Sequence, residues 1–183
     1  MSQYGNIEAY VTKLLEGIGE NPNREGLKDT PNRVAKLYSE LFSGISKDPA
    51  SELSVTYKVS YKGIVVVKDI SFYSICEHHL LPFFGFAHIG YLPNGKVAGT
   101  SKLARALDIL AKRPQIQERL TEQLADTIHQ TLKPVGTAVV IEAEHLCMSM
   151  RGTQKPGTRL ITSVERGEIK LDQFLVLAGI KHS

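Results

Sequence analysis

Apolar side chains near the start of the chain recur at helical spacing. Ile7, Tyr10, Val11, Leu14, Leu15 and Ile18 fall on one face and predict an amphipathic helix over 7–18. The Gly and Pro residues of "GENPNREGLKD" end that pattern. A second helix is predicted within "DTPNRVAKLYSELFSG", with Thr30 as its cap, Pro31 at the first helical position and Gly44 at the exit. Its apolar stripe is Val34, Leu37, Tyr38 and Leu41. From 53 to 92 the texture changes to β-branched and aromatic residues. "LSVTYKVSY", "GIVVVKDISFYSI" and "FFGFAHIGYLP" read as strands, followed by "PNGK" at 93–96 as a turn between strands.

Helical spacing returns in "SKLARALDILAK", where Ser101 begins a helix. It returns again after Pro114, where Ile116, Leu120, Leu124, Ile128 and Leu132 step by fours along one face. "GTAVVIEAEHLCMSM" and "GTRLITSVE" predict two further strands, and "LDQFLVLAGI" a closing short helix. Helices first, then strands, a helical pair and strands again describe an α+β fold: an antiparallel sheet with helices on one face, plus N-terminal helices. Neither a repeat nor a linker interrupts 1–183, so one domain is expected. Its N-terminal helical part covers about 1–50 and its core about 51–183.

Composition narrows the function classes. Apolar residues at 42% and charged residues at 22% suit a globular protein, and no apolar run reaches the length of a membrane span. A formal charge of +3 without basic clusters gives no footprint for nucleic acid. The opening "MSQYGNIEAY" has no basic start followed by an apolar run, so a reducing cytoplasm is the expected location. There, two cysteines are thiols or ligands more readily than a disulfide.

Those two cysteines define the candidate chemistry. Cys76 and His79 lie three apart in "CEHH", a spacing that lets one tight loop offer a thiolate and an imidazole to the same ion. Sulfur and nitrogen together favour zinc over harder cations. The fragment alone reads equally well as a buried cysteine beside a core histidine. Cys147 changes this balance: if it meets the first pair, Cys76, His79 and Cys147 form a three-ligand site whose fourth position is left to water, as in catalytic zinc sites. On a continuous strand, His145 and Cys147 would leave the same face. His78 and His145 remain as titratable neighbours, a side-chain type whose unperturbed pKa of about 6.5 suits proton transfer at cellular pH.

Cations fall at positions the core cannot use. Arg33 and Lys36 project together from the second helix, Lys102 and Arg105 repeat the spacing at the start of "SKLARAL", and Arg151 follows Cys147 closely. Singly, each pair is a solvated helix face; together they suit a polyphosphate. Glu118 lies off the apolar face, where it could be a surface acid opposite Lys112 or Arg119. A carboxylate there could also accept the paired N–H groups of a guanine edge.

In order, "GENPNREGLKDTPNRVAKLY", "CEHHLLPFFGFAHIGYLP", "SKLARALDILAKRPQIQERLTEQLADTI" and "EAEHLCMSMRG" resemble the GTP cyclohydrolase I family over about residues 18 to 165. The resemblance implies a tunnelling fold, assembled as a homodecamer of two stacked pentamers with active sites between subunits. It implies zinc held by Cys76, His79 and Cys147, with His78 as the acid/base and His145 and Ser101 assisting later steps. Glu118 and Gln117 match the guanine-recognising position. Arg33, Lys36, Lys102, Arg105 and Arg151 match the triphosphate cluster, the first two reaching a neighbouring subunit's site. The implied reaction is hydrolysis of GTP at guanine carbon-8, with release of formate and rearrangement to 7,8-dihydroneopterin triphosphate, the first step of folate and pterin biosynthesis.

Two positions depart from the family pattern: Thr100 stands where an apolar residue is common, and the segment after Thr162 is short. The long N-terminal extension of some relatives is missing, so regulation through one is not expected. The competing readings are a related enzyme that stops at a ring-opened product, and a purine- or pterin-binding module with a structural metal.

Overall fold

The computed structural model describes residues 5–180. They separate into two compact units, divided between Ser43 and Gly44. No helix among the described residues is long and apolar enough to cross a membrane.

The first unit is a helical pair, α1 (Gly5–Gly17) and α2 (Thr30–Leu41). The Asn32 side-chain amide donates to the Glu8 carboxylate at 2.9 Å and ties the two together. The expected stripe of α1 is only partly used: Val11 is buried, whereas Tyr10 and Leu14 are 68% and 64% exposed. In α2 the helix interior centres on Ala35 rather than Leu37, which is 48% exposed. Thr30 is not the cap. The backbone is already helical at Asp29, which takes the cap position and places Thr30 in the first turn with Pro31.

Gly44 is not a helix exit either, because α2 ends at Leu41. It opens the second unit, its N–H donating to the Lys112 carbonyl at 3.0 Å. A Cβ there would lie 2.0 Å from the Ile109 carbonyl oxygen, so this close backbone approach admits only glycine.

The second unit is built on a five-stranded sheet of order β5-β2-β3-β6-β7, comprising β2 (Val65–Cys76), β3 (Pro82–Leu92), β5 (Pro114–Gln115), β6 (Gly136–His145) and β7 (Arg159–Gly167). All pairings are antiparallel except the short parallel one of β5 with β2. The stretch predicted as one strand from 53 is divided. A 3-10 helix takes Pro49–Ser54, and β1 (Thr56–Lys58) then pairs with β4 (Lys96–Ala98) in a separate ribbon.

Two helices, α3 (Thr100–Ala111) and α4 (Gln117–Leu132), cover one face of the sheet. Leu120, Leu124, Ile128 and Leu132 of α4 are all buried, so the stepping by fours is the core face. The short C-terminal helix α6 (Leu171–Ala178) packs on the opposite face, a departure from helices on one face only. Phe174 lies against Gly90 there, where a Cβ would sit 2.4 Å from the ring. Consequently the centre of β6 is an unbroken apolar run over 138–141: Val139 and Ile141, with Ala143 beyond them, face one core, and Ala138 and Val140 the other.

Strand β2 conceals its alternation for a different reason. A register shift between Val67 and Ile70 puts Asp69 in the left-handed region, φ +58°. The bulge exchanges the faces: Val65 and Val67 pack on the main core before it, Ile70 and Phe72 after it.

Candidate metal centre

Strand order and register bring the two cysteines to one end of the sheet. β2 and β6 both run antiparallel to β3, which lies between them, so their C-terminal ends lie side by side. Ile75 pairs with Pro82 and His145 with Phe83, which places Cys76 and Cys147 on either side of the first residues of β3. The strand expected to run through Cys147 stops at His145. Cys147 instead occupies the helical turn α5 (Leu146–Ser149), so its thiol is aimed by the turn and not by strand alternation with His145.

The loop from Cys76 to Leu81 closes tightly. Cys76 N–H donates to the Leu81 carbonyl and Leu80 N–H to the Cys76 carbonyl, both at 2.9 Å. Leu80 holds φ +53°, a left-handed conformation costly for a residue with a branched side chain. This fold of the loop turns Cys76 and His79 toward the same point, and the ligand atoms of Cys76, His79 and Cys147 all lie within 4.8 Å of one another. The group fits a metal ion: two thiols and one imidazole, with no disulfide. Burial foremost, and then the neighbouring Cys76 thiol, push the Cys147 thiol up from its ordinary value.

Around this group the predicted residues take distinct positions. Arg151 donates to His79 Nε2 at 2.8 Å. His78 is exposed, its ring edge-on to His79. His145 stacks on Phe83 with centroids 4.6 Å apart, and its Nε2 meets Gln117 Oε1 at 2.9 Å. Burial lowers the His145 pKa, while the charge of Glu118 opposes that shift.

Gln117 is fully buried; its amide nitrogen donates to the carbonyls of Ile141 and Leu160 and to Thr162 Oγ1 at 3.0–3.1 Å. That orientation leaves Oε1 as an acceptor, so His145 carries its proton on Nε2 and keeps Nδ1 available. Glu118 is exposed one residue further along α4, in a shallow hollow with Thr121, Glu122 and Thr162.

Ser101, Lys102 and Arg105 lie on the first turns of α3. Among the described residues no hydrogen bond or ion pair joins them to the metal group. Lys102 and Arg105 share Glu52, at 3.1 and 3.8 Å. Arg33 and Lys36 are exposed on α2 of the first unit, Arg33 lying 3.5 Å from Asp29.

The defining pattern of the GTP cyclohydrolase I family matches residues 7–178. The chain belongs to that family. A GTP cyclohydrolase 1 of Streptococcus pyogenes is 59% identical over 164 residues, 89% of this chain and 84% of that protein. One of Streptococcus agalactiae is 54% identical over 175 residues, 95% of this chain and 94% of that protein. Among solved structures, that of the archaeosine synthase QueF-Like in the apo form aligns with a TM-score of 0.49 at 17% identity, over 61% of this chain and 100% of that one.

For this GTP cyclohydrolase I family member, sequence reasoning missed the polar frame of the site. Arg119 pairs with Glu77 rather than with Glu118. Glu144 accepts from Ser149 Oγ at 2.6 Å and from Gly157 N–H at 3.2 Å, bracing the turn that carries Cys147. Acids and arginines at solvent-accessible positions carry no periodic signal, so only their partners reveal them.

Proposed function

We propose that the chain hydrolyses GTP at carbon-8 of the guanine, releases formate and rearranges the product to 7,8-dihydroneopterin triphosphate, opening pterin and folate biosynthesis. The observation that carries this reading is the convergence of Cys76, His79 and Cys147 within 4.8 Å, flanked by His78 and His145. Zinc, the ion such an S2N donor set suits, would supply Lewis acidity at this centre when bound.

The protein's own groups divide the remaining work. His78, exposed beside the metal group, is the acid/base for the imidazole ring of the base. His145, held by Gln117 with Nδ1 available, serves the later ribose steps together with Ser101. Glu118 accepts the paired N–H groups of the guanine edge. Lys102, Arg105 and Arg151 receive the triphosphate, with Arg33 and Lys36 completing the cluster in a neighbouring subunit.

Assembly as a decamer of two pentamers, in the cytoplasm, is part of the same proposal. It is supported by the outer edge of β7, on which nothing pairs among the described residues, and by exposed apolar side chains such as Ile161 on that strand.

The test combines GTP with the purified protein and measures formate, neopterin fluorescence after oxidation, and zinc on the same sample. About one zinc per chain is expected, since three ligands leave room for one ion. His78→Ser should keep zinc and lose formate release; Cys147→Ser should lose both. Undiminished formate from His78→Ser removes that residue's role, and a ring-opened product without fluorescence removes the rearrangement.

A further inference from the structure

The loop carrying Cys76, His78 and His79 is short, closed on itself by two backbone hydrogen bonds, and strained at Leu80. Such a loop keeps its ligands in place only if something outside it holds it down. On the side facing α4, the Glu77 N–H donates to the Gln115 carbonyl at 3.0 Å. The Glu77 carboxylate is taken by the Arg119 guanidinium. The same guanidinium donates through Nε to Gln115 Oε1 at 2.9 Å and through Nη2 to the Pro114 carbonyl at 3.1 Å. Gln115 is itself buried, its amide donating to the Leu110 carbonyl and to Gln123 Oε1. One planar group thus joins the metal loop to β5 and to the first turn of α4, one residue after Glu118.

We infer that Arg119 is a positioning residue for the metal centre: clamped between Glu77 and the Pro114–Gln115 strand, it sets where Cys76, His78 and His79 stand relative to Glu118. The inference rests on the reading of Cys76, His79 and Cys147 as a metal site. An ion pair with side chains 38% and 33% exposed contributes little stability by itself. What the fork provides is geometry, because a guanidinium fixes several acceptors in one plane and a lysine ammonium cannot. A purely structural pair would move unfolding and leave metal affinity alone; a positioning pair does the reverse.

The experiment titrates zinc against a chromogenic chelator in the intact protein, for the wild type, Arg119→Gln, Arg119→Lys, Glu77→Gln and the Arg119→Gln/Glu77→Gln double variant. The cobalt-substituted proteins report the thiolate absorption bands. Zinc affinity should fall about tenfold in Arg119→Gln and in Glu77→Gln, at the low end for contacts behind a metal site because the pair holds the ligand loop and touches no ligand atom. The double variant should be no worse than the poorer single one, since both remove the same contact. Arg119→Lys should stay weakened, the cobalt bands should shift, and the urea midpoint of metal-free Glu77→Gln, which leaves the Arg119 contacts to Pro114 and Gln115 in place, should match the wild type.

Affinity of Arg119→Gln within about twofold of wild type, or single losses that multiply in the double variant, would overturn the inference. Should Arg119→Gln fail to fold, Glu77→Gln decides by the same two criteria of affinity and spectrum. A wild type that binds no zinc at all would instead remove the metal reading, an outcome distinct from unchanged affinity in the variants.

Discussion

Gln117→Met keeps the volume of a fully buried side chain while deleting its whole hydrogen-bonding capacity. The amide nitrogen has two hydrogens, shared among the Ile141 and Leu160 carbonyls and Thr162 Oγ1, and the oxygen accepts from His145. Three full bonds therefore disappear. At a net value of about 0.5–1.5 kcal/mol each, the loss should be about 3 kcal/mol. Gln117→Glu should cost at least as much: it can still accept from His145, but sets carboxylate lone pairs against two carbonyl oxygens.

Urea unfolding at one fixed protein concentration measures both, so that any association between copies enters equally. Steady-state kinetics with GTP then separates two roles. If Gln117 acts by holding His145, kcat falls with KM nearly unchanged; if its amide touches the base directly, KM rises. A stability change below about 0.5 kcal/mol for Gln117→Met would refute the bonding scheme from which the His145 tautomer is deduced.

Other consequences are simpler to read. Leu124→Ala, at a completely buried position of α4, should cost about 3 kcal/mol in the same unfolding assay. His88 is buried on β3 and accepts the Asp69 N–H through Nδ1 at 3.2 Å. Burial lowers its pKa against the opposing pull of Asp69 and Glu142, while Lys68 adds to the lowering. The unfolded chain therefore binds the proton more readily. His88 should contribute fully above about pH 6.5 and lose that contribution as pH falls toward its lowered value, a slope that His88→Gln should flatten. Glu144→Ala releases Ser149 and the Gly157 N–H, and should speed tryptic cleavage after Arg151 in the exposed loop that follows.

Much was written in local pattern. The stepping of Leu120, Leu124, Ile128 and Leu132, the β-branched and aromatic runs that became β2 and β3, and the "CEHH" loop with its distant cysteine are each decided by side-chain type, spacing and donor chemistry along a few residues. What local pattern could not convey was any feature settled by a partner far along the chain. Gly44 reads as a helix stop until the Ile109 carbonyl is seen against it, and Leu37 reads as core until its exposure is seen. Cys147 reads as part of a strand until the chain turns at Leu146.

Sequence alone determined which atoms are available to grip an ion and that sheet and helices would share an apolar core. Only tertiary structure decided that β3 lies between β2 and β6 so that their ends converge. It also decided that α6 covers the second face, and that Arg119 turns to Glu77 rather than to its neighbour Glu118. The physical reason is that hydrophobic period is encoded residue by residue, whereas strand order and the partner of a charged group depend on which distant segments the packed core brings within about 3 Å.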